Sequence, residues 1–211
     1  MAKDKTEEAI IFDFDGTIAD SFLTTLQVIY KATHQAALPN EDISRLRAMN
    51  MYQLSRALHI SWWRLIFLTR RVRRLMRDEM SGIILIPGIE EAIKILSKQY
   101  KLFVLSANST NNVRAFLHRN EIDNYFSGIF GNANPLSKRR KLLELIERNG
   151  LSKQHSWYIG DEAQDIKAAK HVGIKSIAVA WGYSNIHVLQ AQRPDALLFS
   201  PDELIVLFNA Q

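Results

Sequence analysis

The chain has 211 residues, enough for one sizeable core with a modest insertion, and no cysteine, which removes disulfide frameworks and thiol chemistry. Its 47% apolar and 23% charged content is that of an ordinary globular protein, and no apolar run approaches the ~18 residues a membrane-spanning helix needs. The formal charge of +5 is a local feature, because residues 64–77 hold six arginines and no acid while the rest carries 21 basic against 22 acidic side chains. A nucleic-acid or membrane partner is therefore not expected. The opening residues show no apolar stretch of signal-peptide type before the first strand, so a cytoplasmic protein is expected.

In chain order, Ala9 to Phe12 reads as a short buried strand of a parallel sheet. It ends in Asp13-Phe14-Asp15-Gly16-Thr17. Two carboxylates so close together cost stability unless a cation sits between them, and ligands of open α/β sheets bind at this end of the strands. From Ser21 to Met80 the pattern is helical, with helices expected over Phe22 to Ala36, Glu41 to Met49, Tyr52 to Leu58 and Trp62 to Met80. Pro39-Asn40 marks a turn, and Gly82 and Pro87-Gly88 close the segment. In the last of these helices Leu65, Leu68, Val72 and Leu75/Met76 form an apolar stripe. Arg70, Arg73, Arg74 and Arg77 recur on the other side, either as a solvated face or facing an anion. Trp62-Trp63 suits an anchor between helices or a substrate contact.

Beyond Pro87 helix and strand alternate. Helix Glu90 to Ser97 precedes strand Lys101 to Ser106, and helix Asn112 to Asn120 precedes Gly128 to Phe130. Helix Lys141 to Asn149, closed by Gly150, precedes Ser156 to Ile159. A helix over Ile166 to His171, a strand over Ser176 to Ala180 and an edge strand over Ala196 to Phe199 follow. Such alternation predicts an α/β fold with a parallel sheet covered on both faces. Two further sites of interest are Ser106 at a strand end and Lys138 just before a helix, with Lys141 a competitor one turn inside it. Asp161 and Asp165 lie four apart at a helix start, which predicts that they share a face. Trp181-Gly182-Tyr183 suits a structural turn or the rim of the site.

The string around Asp13 resembles the first signature motif of the haloacid dehalogenase superfamily in its phosphatase form, and Gly160-Asp161-Glu162-Ala-Gln-Asp165 resembles its last. Ser106 and Lys138 fall in the order of its second and third motifs. Four elements in correct order form a specific signal where one would be weak. Over nearly the whole chain the architecture resembles phosphoglycolate phosphatases. The resemblance implies a Rossmann-like core over residues 1–20 and 82–211 with a small all-helical cap over 21–81.

It further implies a magnesium-dependent phosphatase acting on a small phosphorylated metabolite. Asp13 would be the nucleophile that forms an aspartyl-phosphate, and Asp15 the acid and base. Asp13, Asp161 and the backbone carbonyl of Asp15 would hold Mg2+, an ion that takes one or two carboxylates plus waters and phosphate. Thr17, Ser106, Ala107 (through its backbone N–H) and Lys138 would bind the phosphoryl oxygens. Asp165 would hold metal-bound water or orient the lysine, and Glu162 would join the ion's outer surroundings. One departure from the motif is Ala107, standing where asparagine often follows the motif's hydroxyl; here Asn108 comes one place later. The dehalogenases of the superfamily lack the second aspartate, so Asp15 argues against that chemistry. A phosphomutase would keep all four motifs, and a non-catalytic binding module would be expected to have lost one.

Overall fold

The computed structural model describes residues 8–34, 56, 71–72, 74–133 and 137–209. Six parallel strands form the central sheet: β1 (Ala9–Phe12), β4 (Lys101–Leu105), β5 (Phe126–Phe130), β6 (Ser156–Gly160), β7 (Lys175–Val179) and β8 (Ala196–Leu198). Their order across the sheet is β5-β4-β1-β6-β7-β8. Two short strands, β2 (Ala19–Asp20) and β3 (Ile84–Leu85), pair separately as an antiparallel ribbon. The helices are α1 (Phe22–Thr33), α2 (Ile89–Leu96), α3 (Thr110–Arg119), α4 (Lys138–Arg148), α5 (Ala163–Val172), α6 (Ile186–Ala191) and α7 (Asp202–Asn209). This is the expected Rossmann-like α/β architecture.

Period-two alternation along the strands divides the core between two faces. Ile10, Phe12, Leu102, Val104, Trp157 and Ile159 face one way, onto Ile93 and Leu96 of α2, Phe116 of α3 and Phe208 of α7. Ala9, Ile11, Phe103, Leu105 and Tyr158 face the other way, onto Leu142 and Leu145 of α4 and Ala169 and Val172 of α5. With helices on both faces, β1 can be apolar at every position, and all four of its residues are buried.

Register decides where the motifs meet. Phe12 pairs with Val104 on one side and with Ile159 on the other. The chain therefore leaves β1, β4 and β6 at the same level, delivering Asp13, Ser106 and Asp161 to one edge of the sheet. The β2–β3 ribbon then sets Asp20 beside Ile84. The segment between them thus starts and returns at one point, which lets it be inserted without disturbing the sheet. Arg119 of α3 secures the return by donating to the Met80 and Ile83 carbonyls, both at 2.6 Å.

Several expectations are adjusted. Helix α4 begins at Lys138 rather than Lys141, and α5 begins at Ala163 rather than Ile166; Asp165 lies in the first turn of α5, and Asp161 precedes its N-cap, Glu162. Helices α6 and α7 were not expected from the pattern; α6 has only six residues, capped by the Asn185 side chain. Of the inserted segment, α1 and helical residues 74–79 are described, and in the latter Met76 is buried while Arg74 and Arg77 are exposed. The helices expected at 41–49 and, apart from residue 56, at 52–58 lie outside the described residues. So do 62–70, with Trp62, Trp63 and Arg70, and also Arg73.

Candidate active site

The loop after β1 explains the alternation of acid and aromatic in its sequence. Phe14 turns inward, fully buried, and meets Phe116 edge-on at 5.1 Å, while Asp13 and Asp15 face the sheet's end. The Phe14 carbonyl accepts from the Ile18 and Ala19 amides, closing a tight loop that needs a positive φ of 81° at Gly16. A side chain at Gly16 would also collide with the Asp161 carboxylate and the Tyr183 ring.

Asp13, Asp161 and Asp165 come together. One carboxylate oxygen from each lies within 4.8 Å of the others, and all three residues are buried. Asp161 leaves β6 and accepts from the Thr17 hydroxyl at 2.9 Å and the Tyr183 amide at 2.7 Å. Asp165 and Glu162 form a reciprocal cap on α5: each side chain accepts from the other's backbone N–H, that of Glu162 onto Asp165 at 3.0 Å. Glu162 thus has a structural role at the helix start besides its place beside the cluster.

Lys138 completes the cluster. As the first residue of α4 it stands where the helix dipole disfavours a cation, and it is 5% exposed. Both costs are offset by its partners, since its ammonium lies 3.1 Å from Asp13 and against Asp165. Burial alone would lower its pKa, but Asp13 and Asp165 outweigh burial and hold it well above the usual lysine range. Lys141, the competitor, instead donates to the Gly131 carbonyl at 2.8 Å.

One lysine does not balance this many acids. Burial, with Asp165, Asp161 and Glu162 nearby, pushes Asp13 well above the carboxylate range despite Lys138. Burial and the charges of Glu162 and Asp165 push Asp161 up in the same way, against its two hydrogen bonds. Burial, then Asp165, raises Glu162 to about 7. Asp165 is matched by Lys138, whereas among the described residues Asp161 meets hydrogen-bond donors but no ammonium or guanidinium. A buried group of hard oxygens with surplus negative charge suits a hard divalent cation, and Asp13, Asp161 and Asp165 are the carboxylates that could hold it.

Asp15 has different company. Its Oδ1 accepts from the Ser21 hydroxyl at 2.9 Å. Burial raises its pKa; hydrogen bonds from Ser21, Asn108 and Ser106 and the charge of Lys138 oppose that rise. The Asn108 side chain is held in turn, its Oδ1 accepting from the Ser109 amide and from Asn112 Nδ2 at 2.8 and 3.0 Å. The asparagine displaced by Ala107 therefore still serves the site. Ser106 Oγ accepts from the Asn108 amide at 2.9 Å, and Ala107 is exposed at the rim. Thr17, expected against phosphate, gives its hydroxyl proton to Asp161 and is fully buried. Ser21 and the contacts of Tyr183 escaped the sequence reading; the Trp181-Gly182-Tyr183 string was the one available signal. Trp181 Nε1 donates to the Thr17 carbonyl at 3.2 Å.

The chain is also similar to known proteins. Residues 10–179 match the family model of haloacid dehalogenase-like hydrolases. A phosphoglycolate phosphatase of Synechococcus elongatus is 34% identical over 202 residues, spanning 94% of this chain and 95% of that protein. The phosphoglycolate phosphatase of Escherichia coli strain K12 is 24% identical, spanning 97% and 94% of the two chains. A haloacid dehalogenase-like family hydrolase from Streptococcus pneumoniae superposes with a TM-score of 0.79 over 96% of this chain and 99% of the other, at 22% identity, and so agrees in fold. Sequence and fold together place the chain in the haloacid dehalogenase-like hydrolase family.

Proposed function

We propose that the protein is a magnesium-dependent phosphatase that hydrolyses a small phosphate monoester through an aspartyl-phosphate on Asp13. The observation that carries this is the placement of Lys138 between Asp13 and Asp165, with Asp161 close by, at the sheet's carboxyl edge. Similarity to phosphoglycolate phosphatases along nearly the whole chain makes 2-phosphoglycolate the first ester to test. The domain division fits the same reading: residues 21–81 form a helical cap over a core of 1–20 and 82–211. A cytoplasmic location, without nucleic-acid or membrane partners, suits such a metabolite.

A phosphate monoester resists attack because its oxygens repel an anionic nucleophile, so the site must neutralise charge and align the attacker. Mg2+, held by the Asp13 and Asp161 carboxylates and the Asp15 backbone carbonyl, would supply charge neutralisation at the phosphoryl group and the nucleophile. Lys138 holds Asp13 Oδ1 and adds a positive charge beside the transferring group. The other Asp13 oxygen attacks phosphorus, the ester P–O bond breaks, and Asp15 gives its proton to the departing alkoxide. In the second step Asp15, now a carboxylate, takes a proton from a water that attacks the same phosphorus. The acyl-phosphate P–O bond breaks and Asp13 is restored. Ser106, whose oxygen accepts from Asn108, keeps its proton for donation to Asp15 or a phosphoryl oxygen. Ala107 offers its backbone N–H at the rim, and Thr17 acts through Asp161. Glu162 and Asp165 hold the lysine and the helix start in place.

The test is a panel of alkyl and aryl phosphates, 2-phosphoglycolate among them, assayed for inorganic phosphate with Mg2+ and with excess chelator. Release of phosphate that needs Mg2+ is expected. Full activity in chelator would refute the metal assignment, and a phosphorylated organic product in place of inorganic phosphate would make the protein a phosphomutase.

A further inference from the structure

Tyr183 touches three parts of the molecule at once. Its backbone N–H donates to Asp161 Oδ2 at 2.7 Å, and its ring packs edge-on against Phe22 at 5.2 Å. Its hydroxyl lies 2.8 Å from Ser21 Oγ and 3.0 Å from Thr25 Oγ1, both at the root of the inserted segment. Thr25 Oγ1 also lies 4.0 Å from Met76 Sδ in the returning helical residues, the outer limit for a hydrogen bond to sulfur, so its one proton is better placed on the hydroxyl 3.0 Å away.

Counting protons gives this chain a direction. Ser21 has one hydroxyl proton and gives it to Asp15 Oδ1, so its oxygen must accept from Tyr183. Tyr183 has then spent its own proton and must accept from Thr25. The donors run Thr25 to Tyr183 to Ser21 to Asp15. Asp15 lies in the tight loop after β1, and this series of hydroxyls ends on its Oδ1 and holds that carboxyl oxygen in one direction. Tyr183, in the loop after β7, is the member that joins the series to Asp161 at the end of β6.

We propose that Tyr183 is a positioning residue that holds the Asp15 carboxyl, through Ser21, in the orientation needed for proton transfer to the leaving group. It thereby couples the root of the inserted segment to the proton-transfer step. The proposal rests on the acid–base reading of Asp15. Positioning of an acid matters most where the leaving group most needs a proton, so the signature is a dependence on the leaving group. A merely structural role would slow good and poor leaving groups alike.

Tyr183→Phe removes the hydroxyl while keeping the ring on Phe22 and the backbone N–H on Asp161. Its kcat is expected to fall about tenfold with the fastest alkyl phosphate of the panel, and less than about twofold with p-nitrophenyl phosphate, at unchanged KM. Ser21→Ala should give the same split, and the double variant should be no worse than either single one, because both break one series. Asp15→Asn is the control for the underlying reading. If Asp15→Asn discriminates between leaving groups but Tyr183→Phe and Ser21→Ala do not, the positioning role is overturned and the acid–base reading stands. If Asp15→Asn itself does not discriminate, both fall. Equal losses on both substrates in Tyr183→Phe, or additive losses in the double variant, also overturn the proposal.

Discussion

On the β6 side of Asp13, the buried carboxyls of Asp161 and Asp165 lie close by, Glu162 adds its charge, and one lysine pairs with Asp13 and Asp165. On the β4 side, Asp15 meets hydroxyls and an amide: Ser21, Ser106 and Asn108. Asp13 and Asp15 are two residues apart, yet their surroundings differ. Under the proposed mechanism, charged neighbours on the first side hold the nucleophile and suit a cation. Neutral donors on the second side hold a carboxyl without supplying a full counter-charge, which suits a group that must both give and take a proton. Chemistry at this sheet edge is divided by which strand supplies the neighbours.

The division can be broken most severely at Asp13. Asp13→Asn should lower kcat by roughly 10³-fold or more with every leaving group, since in the proposed mechanism Asp13 forms the covalent bond. Steady-state rates on an aryl and an alkyl phosphate check this, and a loss confined to the alkyl ester would mean that the two aspartates share a role.

Lys138→Met sharpens the charged side. Methionine keeps much of the lysine's volume but leaves Asp13 and Asp165 without their partner. Turnover should fall about 10²-fold, and stability at neutral pH should drop by about 3 kcal/mol. Part of that stability should return as pH falls and the buried carboxyls take up protons, which denaturant titration at several pH values would show.

Asn108→Leu acts on the neutral side. It removes an amide donor to Asp15 and the acceptor for the Ser109 and Asn112 donors. A roughly tenfold loss in kcat is expected, concentrated on the alkyl ester. Equal loss on both esters would place Asn108 with the charged side instead.

The smallest effect expected is on thermal stability. Asp13 and Asp161 have folded-state pKa values raised above their unfolded ones. Their contribution is therefore fully present below the unfolded pKa and is lost as pH rises through the folded values. A cation bound between the carboxylates removes that loss, so the gain in Tm from Mg2+ should be greater near neutral pH than near about pH 4. Scanning fluorimetry with and without Mg2+ measures it, and Asp161→Asn should erase the difference. A gain independent of pH would argue against a cation on these carboxylates.

The strand ends that carry the site were legible in the sequence on both sides. Asp13, Ser106 and Asp161 each end a strand with a recognisable apolar run, and parallel register brings strand ends together. Lys138 could be chosen over Lys141 by its place near a helix start. Contacts between residues distant in the sequence were far less legible. Tyr183 meets Ser21 across 162 positions of sequence, and Thr17 reaches Asp161 across 144; no local pattern announces either contact. Thr17 is expected against a phosphoryl oxygen by the resemblance; that its hydroxyl donates to Asp161 becomes visible only with the register of β1 against β6. The sheet order is likewise silent in the alternation of strands and helices. Helix α7 follows Pro201 with Asp202 and Glu203 in its first turn, a start signal that its short apolar run obscured.

The division of labour is tested most directly by trapping the intermediate. In Asp15→Asn the first step can proceed with a good leaving group, while the second lacks its base. After incubation with p-nitrophenyl phosphate and Mg2+, acid quenching and peptide mass spectrometry should find phosphate on Asp13. Its occupancy should exceed that of the parent enzyme under the same conditions. Phosphate on another residue, or none on Asp13 while nitrophenol is released, would contradict the account.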